Sequence, residues 1–174
     1  TSLADTPENV KKGGALTTDV TYLYALRGDD KTDFWRYDIG ANTWSALSSL
    51  PGTANWGGSL TRLGGYLYAM QGDGKTGFYR YTIATDTWTA MASTPGNVGE
   101  GGALTTNGTN LYAFQGKTLA FWRYNVSANT WTVLTPVNFT GNVGQGGGNI
   151  TDQQVIDWLE ADAARNQFVD PMLG

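Results

Sequence analysis

The chain contains neither cysteine nor histidine. The first absence excludes disulfides, thiolate nucleophiles, cysteine-ligated zinc and iron–sulfur clusters. The second removes the commonest general base and metal ligand, so Ser–His and Cys–His nucleophile pairs are out of reach. Charge is sparse as well, at 15% of 174 residues, and there are only five prolines. No apolar run approaches the roughly 18 residues that signal a membrane span. Residues 1–149 hold ten acids and ten bases, while 150–174 hold five acids (Asp152, Asp157, Glu160, Asp162, Asp170) against Arg165. A neutral body with an acidic tail lacks the basic footprint that phosphate contacts require, so no nucleic-acid partner is expected. No motif calls for a cofactor, and the chain reads as non-catalytic.

Glycine, threonine and aromatic residues are plentiful: 24 glycines and 13% Phe, Trp and Tyr. They are arranged in a repeat. The stretch GGALTTDVTYLYALRGDDKTDFWRYDIGANTWSALSSLPG starts at Gly13, GGSLTRLGGYLYAMQGDGKTGFYRYTIATDTWTAMASTPG at Gly57, and GGALTTNGTNLYAFQGKTLAFWRYNVSANTWTVLTPV at Gly101, 44 residues apart each time. Trp44, Trp88 and Trp131 recur at nearly the same offset, and the third unit is one residue short where KTLA replaces DDKTD. Periods of this size mark propellers, solenoids or arrays. Each unit divides into four short runs, in the first unit GGAL, YLYAL, FWRYDI and TWSAL (runs A to D), separated by turn residues. β-Branched and aromatic enrichment with such spacing predicts antiparallel strands joined by hairpins, and four strands per unit make a propeller blade. The predicted class is all-β, with units near 13–56, 57–100 and 101–145 inside a body of residues 1–148. Residues 1–10 match the end of run D and its following turn, since Pro7, Pro51 and Pro95 are 44 apart, and read as a D-like strand of a preceding blade.

The pattern of run B, a variable loop, WRYDIGANTW and ALSSLPG resembles the kelch repeat. Tyr37, Tyr81 and Tyr124 match its tyrosine, Trp44, Trp88 and Trp131 its tryptophan, and Gly28, Gly72 and Gly116 the second glycine of its pair. The chain departs from the repeat at the first glycine position, taken by Arg27, Gln71 and Gln115, and where proline is usual, taken by Ile39, Ile83 and Val126. The resemblance implies a kelch-like β-propeller and leaves function open, because such propellers host both enzymes and binding modules. The copper site of kelch-like oxidases needs histidines and a cysteine, which are absent. Asp38, Gly40, Thr43 and Trp44 approximate the sialidase Asp box, but the spacing is one residue too long. Asp29, Asp30 and Asp33 cluster in one loop; units two and three do not preserve the set, which favours a solvated loop over a calcium site.

In the pleat of run C, Trp35 and Tyr37 share one face while Phe34 and Arg36 share the other, and packing between blades is expected to bury both. Arg36, Arg80 and Arg123 are expected against aromatic rings or backbone carbonyls between blades. Binding candidates are the loops after run B (Arg27, Asp29, Asp30, Lys31; Gln71, Asp73, Lys75; Gln115, Lys117) and Trp56. Three blades fall short of the four to eight of a closed ring, so either the chain is an excerpt of a longer propeller or it self-assembles into an oligomer, fibre or surface layer, and assembly is the favoured expectation. Residues 149–174 form an acidic tail, in which Thr151 and Gln154 fit a capping box. Val155, Ile156, Trp158 and Leu159 then fall on one helical face, with Phe168 beyond, as a docking or assembly arm. Four sequons occur, at Asn107, Asn125, Asn138 and Asn149. The composition leans towards an extracellular or cell-surface protein. The leading function is a non-catalytic module for self-assembly or protein binding. The alternatives are a carbohydrate-binding propeller lectin and a scaffold fragment of a larger propeller enzyme.

Overall fold

A computed structural model describes residues 2–134. The expected acidic helix, with Val155, Ile156, Trp158, Leu159 and Phe168, lies outside the described residues.

Twelve short strands form three four-stranded antiparallel sheets, each a meander in chain order. The first blade holds β1 (Ala15–Thr18), β2 (Tyr22–Leu26), β3 (Phe34–Asp38) and β4 (Thr43–Ala46). The second holds β5 (Ser59–Leu63), β6 (Tyr66–Met70), β7 (Phe78–Thr82) and β8 (Thr87–Ala90). The third holds β9 (Ala103–Thr106), β10 (Leu111–Phe114), β11 (Phe121–Asn125) and β12 (Thr130–Leu134). Runs A to D are thus the four strands of each blade. Across the blades, β1 lies beside β5 and β5 beside β9, so the sheets approach one another at their innermost strands and fan outwards. That is the propeller arrangement, and the meander puts turns A–B and C–D at one end of each sheet and loop B–C at the other.

The core lies between blades. Tyr24, Leu26 and Phe34 of the first blade pack against Leu67, Ala69 and Tyr81 of the second, and Leu50 and Ala54 from the linker close the cluster. Tyr68, Met70 and Phe78 of the second blade meet Leu111, Ala113, Trp122 and Tyr124 of the third in the same way. The two interfaces share one aromatic geometry. Phe34 meets Tyr81 and Trp88 edge-on at 4.9 and 5.1 Å; Phe78 meets Tyr124 and Trp131 edge-on at 4.8 and 4.9 Å. Edge-to-face contact brings the positive rim of one ring to the negative face of another, which adds to the burial itself. Run C behaves as its pleat predicts: Phe34, Trp35 and Tyr37 are all buried. Arg36 lies 4.3 Å from the Tyr22 ring and Arg80 4.7 Å from the Tyr66 ring.

Residues 2–12 form no strand. The D-like segment takes the place of a linker: Ala4 holds the position that Ser48 and Ala92 hold after β4 and β8. Its N–H and carbonyl serve the first blade's side chains and so are unavailable for a ladder.

Candidate functional site

The tyrosine, Asx residue and tryptophan of each unit form one clasp, present three times. In the second blade the Tyr81 hydroxyl donates to Asp86 Oδ1 at 2.7 Å, and the same oxygen accepts the Ser48 N–H at 2.8 Å. Trp88 then donates its indole N–H to the Ser48 carbonyl at 2.8 Å. Asn42 with Tyr37, Trp44 and Ala4 repeats the arrangement, as does Asn129 with Tyr124, Trp131 and Ala92. Both polar groups of one linker residue are thereby satisfied by the following blade. The clasp needs the left-handed backbone at Asn42 (φ 56°), Asp86 (φ 51°) and Asn129 (φ 53°), which Asn and Asp adopt more readily than other side chains. These Asx residues were not among the sequence candidates; their signal is an Asn or Asp two residues before each repeated tryptophan. The repeated tryptophans and amides are thus engaged by protein backbone.

On the opposite face the structure gathers the loop candidates beside the linkers. Asp29 N–H donates to the Lys12 carbonyl and Asp30 N–H to the Ala54 carbonyl; Asp73 and Gly74 do the same with Trp56 and Val98. Lys31 pairs with Ala54, and Lys75 with Val98, as isolated antiparallel bridges. The loops are therefore extra ladder rungs between consecutive blades. The second glycine of the motif is required here. Gly28, Gly72 and Gly116 have φ of 76°, 73° and 77°, and a Cβ on each would strike the preceding linker's backbone.

The side chains are mostly engaged too. The three carboxylates of the first loop point to separate partners: Asp29 to Lys11 Nζ at 2.9 Å, Asp30 to Asn55 Nδ2 at 2.8 Å and Asp33 to Arg27 at 3.2 Å. Among the described residues no group of three or more acids converges on a point that would hold a metal ion. Lys75 lies 3.2 Å from Asp73 and donates to Thr53 at 3.1 Å, and Lys117 pairs with Glu100 at 3.2 Å.

Arg27, Gln71 and Gln115, the departures at the first glycine position, act as hooks onto the linker. Arg27 reaches Glu8 at 3.4 Å. The Gln71 amide lies where a Cβ on Gly52 would go, and Gln115 donates to the Asn97 carbonyl at 3.0 Å beside Gly96. Glu8, Gly52 and Gly96 are themselves 44 apart, so the long acid occurs with the arginine and the glycine with the amides. Trp56 joins this bonding through its backbone, accepting the Asp73 N–H and donating its own N–H to Asn55 Oδ1. The residue is 40% exposed, with the Lys12 ammonium 4.8 Å from the ring centroid. Trp56, Lys12, Lys31 and Lys117 are exposed beside these loops.

Fold and clasp together define a β-propeller made of repeated blades. The solved structure of YjhT is similar, with a TM-score of 0.64 and 17% sequence identity, covering 78% of this chain. The chain spans about half of that structure's length, 54%. No family model matches the sequence, and no curated protein matches it. Among the described residues no helix is long and apolar enough to cross a membrane.

Proposed function

We propose that this chain is a non-catalytic, kelch-like propeller module that works outside the cell by assembling with further blades, a second copy of itself being the simplest source. The observation that carries this reading is Phe114. Leu26 and Met70 occupy the same place in the first and second blades and are 1% and 0% exposed, each covered by the following blade; Phe114 in the third is 53% exposed. An apolar side chain at a position otherwise used for blade-to-blade packing favours a protein partner at that end. Coverage of only about half of the similar propeller agrees with a ring completed by more sheets. Light scattering on the full chain should give a mass of at least two chains, and Phe114→Ser should lower it while the β-sheet circular dichroism persists. A wild-type chain that remains a monomer at high concentration would overturn the reading.

Glycan recognition is the second reading, favoured by the exposed indole of Trp56 on the linker face. Sugars stack on such rings through their C–H faces, with neighbouring polar groups fixing orientation. Glycan-array binding that is lost in Trp56→Ala, with the oligomer unchanged, would support it.

A further inference from the structure

Two of the four sequons lie among the described residues, both in hairpin turns of the third blade. They are built differently. Asn107, between β9 and β10, accepts the N–H groups of Thr109 and Asn110 on Oδ1 at 3.0 and 2.9 Å, and its Nδ2 donates to the Tyr112 hydroxyl at 3.3 Å. Its amide nitrogen is directed at its own blade. Asn125 closes β11 and is exposed. Its Oδ1 accepts the Ser127 hydroxyl at 2.8 Å and the Ala128 N–H at 3.0 Å. Both bonds fall on the oxygen, and Nδ2 takes part in neither.

The turn itself does not require that nitrogen. Asp38 holds the equivalent place in the first blade and accepts the Ala41 N–H at 2.9 Å, while the second blade has Thr82. An oxygen at this position is sufficient, so the carboxamide of Asn125 supplies a reactive group beyond the needs of the fold. Val126, the middle residue of the sequon, packs against the second core and anchors the turn while Asn125 remains outside.

We propose that Asn125 is an acceptor for an N-linked glycan. This rests on the exported location proposed above. The donor is a polyprenyl-pyrophosphate oligosaccharide, used by an oligosaccharyltransferase. The bond that forms joins Asn125 Nδ2 to the anomeric carbon; the bond that breaks joins that carbon to the pyrophosphate oxygen. The polyprenyl pyrophosphate leaves, and Nδ2 loses one proton. Both hydrogen bonds to Oδ1 survive the substitution, so the turn keeps its geometry.

The test is to produce the full chain behind a secretory leader in a eukaryotic host, so that delivery does not depend on native export. Release of glycans by an amidase in 18O-water then maps each acceptor as 18O-labelled aspartate by peptide mass spectrometry. Asn125 is expected to carry the label. Asn125→Asp, which keeps the oxygen acceptor, and Ser127→Ala, which keeps the asparagine, should each lose one glycan-sized step in gel mobility, with the thermal midpoint of Asn125→Asp unchanged. A secreted, folded chain with Asn125 unlabelled overturns the proposal, whether or not Asn107 is modified. A labelled chain that scatters as a monomer would instead remove the assembly reading and leave this one standing.

Discussion

Trp88 donates its indole N–H to the carbonyl of Ser48, 2.8 Å away and in the linker that leaves the previous blade. The bond, with its counterparts at Trp44 and Trp131, turns a row of separate sheets into one body: each blade holds the chain that enters it. Trp88→Phe keeps a ring for Phe34 to pack against and removes the donor. It should cost about 0.5–1.5 kcal/mol, the usual net contribution of one hydrogen bond, since the Ser48 carbonyl is exposed and water can replace the donor. Urea unfolding followed by circular dichroism would measure it, and a neutral result would show that the packing alone holds the interface.

Asp86 is the one ionisable Asx among the three clasps, Asn42 and Asn129 being neutral. Desolvation pushes its carboxyl up, but the Ser48 N–H, the Tyr81 hydroxyl and the charge of Arg36 outweigh that and hold it below the ordinary carboxylate value. A group lowered on folding stabilises the fold above its unfolded pKa, near 3.8, and loses that contribution as pH falls through the folded value. Stability should therefore decline below about pH 4, and Asp86→Asn, which copies the other two clasps, should flatten that decline. Thermal midpoints at pH 3 to 7 would test it; parallel curves for the two chains would refute the assignment.

The alkaline side depends on the buried tyrosines. Burial pushes the Tyr124 hydroxyl up to about 12, with the neighbouring Tyr68 adding to the shift. A raised pKa means stability that is intact below the ordinary value of 10.0 and is lost as pH climbs to the folded one. Tyrosinate absorbance and unfolding should rise together between about pH 10 and 12. Titration of the buried tyrosines well before the sheet signal changes would contradict this.

Val20 adopts φ 84° in the first A–B turn, where the other units have Gly64 and Gly108. A β-branched side chain is disfavoured in that region by about 1–2 kcal/mol, part of which glycine would return to the unfolded chain as entropy. Val20→Gly should stabilise the protein by about 0.5–1 kcal/mol. A lower midpoint in urea would show that the valine makes an apolar contact worth more than its strain.

Two glycines separate conformation from space. Gly64 (φ 62°) has nothing within 4 Å of a built Cβ, whereas Gly72 (φ 73°) would drive its Cβ into the Trp56 carbonyl and the Gly58 nitrogen. Gly64→Ala should cost about 1–2 kcal/mol, the conformational penalty alone. Gly72→Ala should cost visibly more, because the linker backbone must also move. Equal losses would mean that the linker gives way freely.

Much of this was legible from the chain alone. The 44-residue period, the four runs per unit and the alternation in FWRYD fixed the strands and their buried faces, because a pleat has only two sides and both are covered between blades. What the sequence could not decide was where polar side chains find partners. Arg27, Gln71 and Gln115 looked like ligand groups, yet they hook linkers, and Asp29, Asp30 and Asp33 look clustered along the chain but turn towards three different residues. Ala4, which carries no chemistry of its own, supplies both backbone groups to the first clasp. Periodicity is a local property written into every unit, whereas a hydrogen-bond partner 40 residues away is set by how consecutive blades stack, and only the folded chain brings those atoms together.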